Sequence, residues 1–402
     1  MKKICIKLKT IGILLAIAIA LFNVSCSVQQ KISGKKIDDT LALAADQYQY
    51  MAKQLPPERF PKTYYLEQDR LETSGSGWWV SGFYPGTLLY LYQAEKDPQL
   101  KEEAERILED LKKEQFNTST HDLGFMMFCS FGNANRIDPK ENYQEVLMNS
   151  AKSLASRFDK DVGAIRSWDS PGESFLVIID NMMNLELLLW AYEHSGNEKY
   201  KNIAITHANT TIKNHFRKDY SSYHVVEYNE NTGEVIKKRT AQGAADESSW
   251  ARGQAWGLYG FTVMYRYTHD EKYLDQAKKI AEFILNHSNL AKDKIPYWDF
   301  NAPQIPNAFR DSSAGAIIAS ALLELSKYTD EQKSRKYFIS AETMLRSLMS
   351  DKYLAKRGSN GGFILKHGVG NMPANSEVDV PLTYGDYYFI EALKRYKNLT
   401  KI

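Results

Sequence analysis

Trp256-Gly-Leu-Tyr-Gly-Phe-Thr-Val-Met-Tyr-Arg-Tyr267 is apolar nearly all round. It is followed by Thr268-His-Asp-Glu-Lys-Tyr273 and then by Ala277, Ile280, Ala281 and Ile284 at helical spacing. A helix without a polar face is buried on all sides, whereas apolar residues recurring every three to four positions mark a helix with one wet side. The stretch therefore reads as a helical hairpin: a buried helix, a short polar turn and an amphipathic cover. Leu185 to Tyr192 and Ala314 to Leu325 are further buried segments, while Leu100, Ala104, Ile107, Leu108 and Leu111 form another amphipathic one.

Outward from there, the same alternation predicts twelve helices, over 40–54, 82–94, 99–115, 123–131, 141–157, 181–194, 198–216, 250–268, 271–287, 313–328, 332–350 and 384–397. The turns repeat as well. His194-Ser-Gly-Asn-Glu-Lys-Tyr200 and the segment Tyr328 to Tyr337 resemble Thr268 to Tyr273, and Tyr143, Tyr200, Tyr273 and Tyr337 lie 57, 73 and 64 residues apart. Repetition on this scale means one supersecondary unit used several times. Six hairpins closed into a ring make an all-α fold, an (α/α)6 barrel, with buried helices inside and a mouth lined by polar and aromatic loops. One segment departs from the helical rule: Tyr223–Tyr228 and Glu234–Arg239 flank Asn229-Glu-Asn-Thr-Gly233. Alternating β-branched residues around a Gly turn predict a β-hairpin, here over the mouth.

The 402 residues are 43% apolar and 25% charged, ordinary values for a globular chain. Charges nearly balance, 51 Lys and Arg against 49 Asp and Glu, so there is no basic excess of the kind nucleic acid requires. Lys2, Lys3, Lys7 and Lys9 precede an apolar run from Ile11 to Phe22, and Asn-Val-Ser-Cys follows, ending at Cys26. A basic start, a short apolar core and small residues before a cleavage point read as a secretory signal over 1–25. The run is too short for the ~20 residues of a spanning helix. A Cys directly after the cleavage point resembles a bacterial lipoprotein signal; the plainer alternative is a signal peptide with an incidental Cys. Residues 26–38 then form a polar linker and 39–402 one catalytic domain. Loss of residues 1–25 removes four Lys and no acid, so the net charge of +2 becomes −2. No acid occurs in Ser27-Val-Gln-Gln30, and the expected placement is the periplasm, held to the membrane only through lipid at Cys26. Beyond Cys5 and Cys26 only Cys129 remains, which rules out a disulfide framework. Nothing in the chain specifies an oligomeric state.

Two acids sit in company that disfavours charge. Asp180 follows Phe175-Leu-Val-Ile-Ile179 and precedes Asn181-Met-Met-Asn-Leu185. Desolvation raises a carboxyl pKa, which suits a general acid at neutral pH; the competing reading is a helix N-cap. Asp122 opens another apolar run in His121-Asp-Leu-Gly-Phe-Met-Met-Phe128, with the same competing reading. Both acids, placed at one end of two inner helices, would face each other across the mouth, and paired carboxylates cleave glycosides. Arg252 lies between Trp250 and Trp256. An Arg fork holds a carboxylate and a Trp stacks on a sugar ring, so an acidic sugar would use both. Alternatively, Arg252 is a structural cation paired with Asp246 or Glu247. The eight His show no metal-ligand spacing, no nucleotide loop or Ser elbow is present, and neither metal nor cofactor is expected.

From about residue 40 to the C-terminus the chain resembles the unsaturated glucuronyl hydrolases of glycoside hydrolase family 88. The resemblance rests on His121-Asp-Leu-Gly-Phe, Ile178-Ile-Asp-Asn-Met-Met-Asn-Leu, His224-Val-Val-Glu-Tyr, Ser249-Trp-Ala-Arg-Gly-Gln-Ala-Trp-Gly and Tyr384-Gly-Asp-Tyr-Tyr-Phe-Ile-Glu-Ala-Leu. It implies an (α/α)6 barrel, no cofactor, and an unsaturated uronic-acid oligosaccharide as partner. It further implies hydration of a C4=C5 vinyl ether, with Asp180 as general acid and base and Asp122 supporting it. His224, Gln242, Arg252 and Trp256 match substrate-contacting positions, His121 belongs at the same mouth, and Trp78 or Trp79 offers stacking. Where some members of the family carry paired serines in a C-terminal loop, Asn371-Met-Pro-Ala-Asn-Ser-Glu-Val-Asp379 offers only Ser376. Two rivals stand beside this reading: an unsaturated rhamnogalacturonyl hydrolase acting on pectin fragments, and a lipid-anchored glycan-binding protein without catalysis.

Overall fold

The computed structural model describes residues 31–169 and 174–402. The predicted signal and the Cys26 anchor lie outside the described residues. Ser33–Ile402 form one compact unit built on helices α1 (Gly34–Ala52), α2 (Phe83–Glu95), α3 (Pro98–Leu111), α4 (Gly124–Gly132, continuing through Asn133–Ile137), α5 (Glu141–Ala155) and α6 (Leu185–Ser195). They are followed by α7 (Glu198–His215), α8 (Ala251–Thr268), α9 (Glu271–Asn286), α10 (Ser312–Leu325), α11 (Glu331–Leu348) and α12 (Thr383–Thr400).

The even-numbered helices form the inner ring. Each touches the next, and α12 returns to α2, which closes the barrel. Burial explains the sorting. Ala314 to Leu325 is buried at every position of α10, whereas α9 buries only a stripe that includes Tyr273, Ala277, Ile280, Ala281 and Ile284. Asx side chains start four outer helices: Asp97, Asn197, Asp270 and Asp330 each accept from a backbone N–H in the first turn, a bond worth about 1 kcal/mol.

The chain enters on an outer helix, not an inner one. Five hairpins are consecutive and the sixth pair is α12 with α1, joined by Lys397–Asp38 at 2.6 Å and Tyr48–Asp386 at 3.3 Å. The helix expected from residue 40 starts at Gly34, capped by Ser33, so the end of the expected 26–38 linker is helical. Tyr143, Tyr200 and Tyr273 are each the third residue of an outer helix, but Tyr337 sits one turn later in α11. That fourth match is a resemblance of sequence rather than of position.

The strands are more numerous than the one predicted hairpin. They are β1 (Phe60–Tyr65), β2 (Arg70–Ser74), β3 (Phe158–Asp159), β4 (Ala164–Ile165), β5 (Ser174–Ile178), β6 (Val225–Asn229), β7 (Val235–Arg239), β8 (Gly368–Asn371) and β9 (Ser376–Val380). The predicted hairpin is β6–β7, and β5 joins it as a third antiparallel strand. Phe175-Leu-Val-Ile reads as an apolar run with no period, and such runs do not separate strand from helix. β1–β2 and β8–β9 are further hairpins.

Candidate active site

A cavity of about 680 Å³ opens at the N-terminal ends of the inner helices, within the size range of small-molecule sites. Asp122, Asp180, His121, His224, Gln242 and Arg252 line it together. Trp78, Trp79 and Ser376 line it too, so the structure gathers every predicted site residue here except Trp256.

The β5–β6 register places the first acid. Ile178 pairs with Val225, and Ile179 N–H donates to the His224 carbonyl at 3.0 Å. Asp180 and His224 therefore leave the sheet at the same edge. Asp180 lies within a 3₁₀ turn, Ile179–Met183, that precedes α6, and no side chain caps that turn. The capping alternative fails, and the carboxylate points elsewhere: its Oδ2 is buried without a hydrogen-bond partner. Burial pushes the Asp180 carboxyl from its ordinary value near 3.8 up to about 7. Arg252 opposes the rise, Asp122 adds to it, and the Trp256 indole, beyond hydrogen-bond distance, opposes it weakly. His224 Nδ1 accepts the amides of Ala241 and Gln242, each at 3.2 Å. That fixes the proton on Nε2, which lies 3.8 Å from Asp180 Oδ2. Burial holds His224 neutral, its pKa pushed down to about 3.

Asp122 stands two residues before α4, whose first two turns are wound as a π-helix over Gly124–Gly132, a form common at functional sites. Two contacts account for it. Phe125 N–H is taken by Asn184 Oδ1 at 2.9 Å, and Gly124 lies against Asn184 so closely that a Cβ would sit 2.4 Å from its Cα. Asp122 does not cap α4 through its side chain. Its Oδ2 accepts from the Thr120 hydroxyl at 2.8 Å and its Oδ1 lies 3.3 Å from His121 Nε2. Burial pushes the His121 pKa down. The negative charge of Asp122 helps to hold the Asp180 carboxyl up, so its removal lets Asp180 ionise more readily. Asp122→Asn is therefore expected to keep more activity than an Asp180 variant, and to move the alkaline limb of the kcat/KM profile to lower pH. A pH–rate series on the two proteins checks the shift.

Arg252 and Trp256 correct the sequence reading. Arg252 is 1% exposed, and its partner is Asp311 at 3.2 Å rather than Asp246 or Glu247. Nη1 also donates to the Val369 carbonyl at 2.5 Å, and Nη2 donates to the Gly370 carbonyl at 2.7 Å and to Gln242 Oε1 at 3.3 Å. The fork expected to grip a substrate carboxylate is thus spent on β8 and on Asp311. Asp311 caps α10 and lies 59 residues beyond Arg252, a pairing that no local pattern announces. Trp256 is fully buried against Phe125 and Tyr388, with ring centroids at 5.0 and 5.5 Å. It does not line the cavity and is no stacking platform for a sugar; it packs beneath Asp180. The exposed ring is Trp78, with Lys62 5.6 Å from its centroid, while Trp79 is half-buried among Phe83, Phe125 and Tyr384.

The cavity also holds residues that sequence reasoning missed, among them Lys62, Thr120, Trp168 and Glu377. Lys62 on β1 meets Glu72 at 2.9 Å and Glu377 at 3.9 Å; the second contact joins chain segments too distant for any local signal. Trp168 had one: an aromatic beside Asp169-Ser-Pro-Gly172 is a ring in a loop. Among the described residues no group of three or more His, Cys, Asp or Glu is placed to hold a metal ion.

Two carboxylates at one end of a helical barrel, one of them raised to near neutrality in a sugar-sized cavity, define a glycoside-processing enzyme. A sequence profile of Glycosyl Hydrolase Family 88 matches residues 57–398, and the chain belongs to that family. It is 43% identical to the unsaturated glucuronyl hydrolase of Formosa agariphila over 97% of this chain and 99% of the relative. It is 35% identical to the unsaturated chondroitin disaccharide hydrolase of Streptococcus agalactiae over 79% of this chain and 81% of the relative. The solved structure of an unsaturated glucuronyl hydrolase specific for heparin superposes with a TM-score of 0.89 at 47% identity, covering 92% of this chain and 99% of the other.

Proposed function

We propose that this glycoside hydrolase is an unsaturated glucuronyl hydrolase, releasing the terminal 4,5-unsaturated uronic acid from lyase-generated oligosaccharides of glycosaminoglycan type. One observation carries the reading: Asp180, with an unpartnered buried oxygen and a carboxyl raised to about 7, stands in the cavity beside Asp122. At neutral pH such a group is available in both protonation states. Protonated Asp180 gives its proton to C4, and positive charge develops at C5. Water adds at C5 and returns a proton to the Asp180 carboxylate. The C5 hemiketal opens to a ketone, C1 collapses to an aldehyde, and the neighbouring sugar leaves with its own oxygen. His224 Nε2–H offers a donor at the same edge, and the charge of Asp122 adds to burial in holding the Asp180 carboxyl up.

The names of the relatives favour a glucuronyl over a rhamnogalacturonyl substrate. A glycan-binding protein would have no use for a raised carboxyl beside a second acid, and it would leave the ultraviolet absorbance of the C4=C5 bond intact. In ¹⁸O-water the label is expected at C5 of the released uronic acid. Label at the new reducing end of the partner sugar, or a covalent glycosyl adduct on Asp180, would overturn the hydration mechanism.

The basic start, the apolar run and Cys26 support placement in the periplasm on a lipid anchor. Cys26→Ser is expected to move active enzyme from the membrane to the soluble fraction. Protease added to whole cells is expected to spare the wild type; its cleavage there would contradict the placement.

A further inference from the structure

A second cavity, of about 490 Å³, reaches from the barrel interior, at Gly124, Met183 and Glu186 near the starts of α4 and α6, toward the C-terminal ends of the inner helices at Arg136, Arg266 and Lys394. It shares no lining residue with the catalytic cavity. Its charges do not cancel. Arg395 is matched, meeting Glu324 at 2.9 Å and Glu391 at 3.4 Å. Arg266 meets Glu186 and Glu324, each at 2.7 Å, but its Nη2 is buried without a hydrogen-bond partner. Lys394 donates to Gln93 and Arg136 to Asn133, both neutral amides, and neither cation makes an ion pair among the described residues. They stand over the Tyr90 ring, 4.4 and 5.4 Å from its centroid. Arg136 lies in the last turn of α4, where the helix dipole favours a cation. Lys394 is nearly two turns from the end of α12, beyond that effect. Burial, with Arg136 and Lys96 nearby, pushes its ammonium down to about 7 against the pull of Glu391.

The rest of the wall suits a hydroxylated ligand. Asn135 Oδ1 is a buried acceptor without a partner, and Glu186 lines the same space. The rings of Phe128 and Trp190 provide an apolar side of the kind that packs on a sugar face. We propose that this cavity binds a small hydroxylated carboxylate, the size of one sugar acid, with its carboxylate on Lys394 and Arg136 and its hydroxyls on Glu186 and Asn135. A neutral sugar would leave Arg136 and the protonated fraction of Lys394 without an anion, whereas a carboxylate would favour the charged form of Lys394; a bare inorganic anion would leave the acceptor wall unfilled. The inference is independent of the catalytic reading.

Calorimetric titration of the full chain tests it, with glucuronate as probe and glucose and inorganic phosphate as controls. Glucuronate is expected to bind and glucose not. Lys394→Met and Arg136→Gln are each expected to weaken glucuronate binding about tenfold or more, the loss of one charged hydrogen bond. If Lys394→Met fails to fold, Arg136→Gln at the exposed rim decides. Absence of glucuronate binding, equal binding of glucose, phosphate binding without glucuronate, or an isotherm that neither cation variant alters would each overturn the proposal.

Discussion

Asp180→Asn is expected to fold normally and to lose kcat/KM by about 10²- to 10⁴-fold, the usual contribution of a general acid–base group. The amide keeps the size of the carboxyl but neither gives a proton to C4 nor takes one from water. The same substitution should stabilise the protein at high pH. The folded-state pKa of Asp180 is raised to about 7 from an ordinary value near 3.8. Between those values the unfolded chain releases the proton while the folded protein retains it, so stability falls as pH rises through this window. Ionised Asp180 therefore costs up to roughly 4 kcal/mol above neutrality, and nothing below the unfolded pKa. Urea unfolding of both proteins across pH checks the sign: the variant's midpoint should lie above the wild type's at pH 8, with the gap closing on acidification. An active variant, or one whose midpoint shows no pH-dependent gap, would remove Asp180 from the acid–base role.

The helices were legible because burial imposes a period. Ala277, Ile280, Ala281 and Ile284 announce a covered stripe on α9, and the unbroken apolar run of α10 announces an inner helix. The two acids were legible for the related reason that a carboxylate among Ile, Val and Met is costly and asks for a purpose. Tertiary closure was less visible. That α1 packs beside α12 depends on contacts between distant parts of the chain, such as Lys397 with Asp38. β5 carries no alternation because Phe175, Leu176, Val177 and Ile178 are all buried. Trp256 and Arg252 share one motif, yet Arg252 reaches the cavity wall and Trp256 does not. A sequence motif does not say which member faces the cavity and which is packed beneath it.

Arg252→Ala is expected to destabilise the whole protein by about 3–5 kcal/mol, the cost of stranding one partner of a buried ion pair. Asp311 is fully buried; its Oδ1 accepts from Ser313 N–H and Oγ, while Oδ2 faces Arg252. The carbonyls of Val369 and Gly370 lose their donors in the same step. Against a typical total of about 5–15 kcal/mol, that is a large share. Arg252→Lys keeps a charge for Asp311 but cannot span two carbonyls and Gln242 from a single nitrogen, so its loss should be intermediate. The hairpin β8–β9 carries Ser376 and Glu377 to the cavity. Loosening it should raise KM in Arg252→Lys more than it lowers kcat. A urea midpoint for each variant, with kcat and KM measured separately, separates this role from direct substrate binding. If Arg252→Ala unfolds at the wild-type midpoint and loses only kcat/KM, the guanidinium serves the substrate, and its bonds to β8 give way when the uronate arrives.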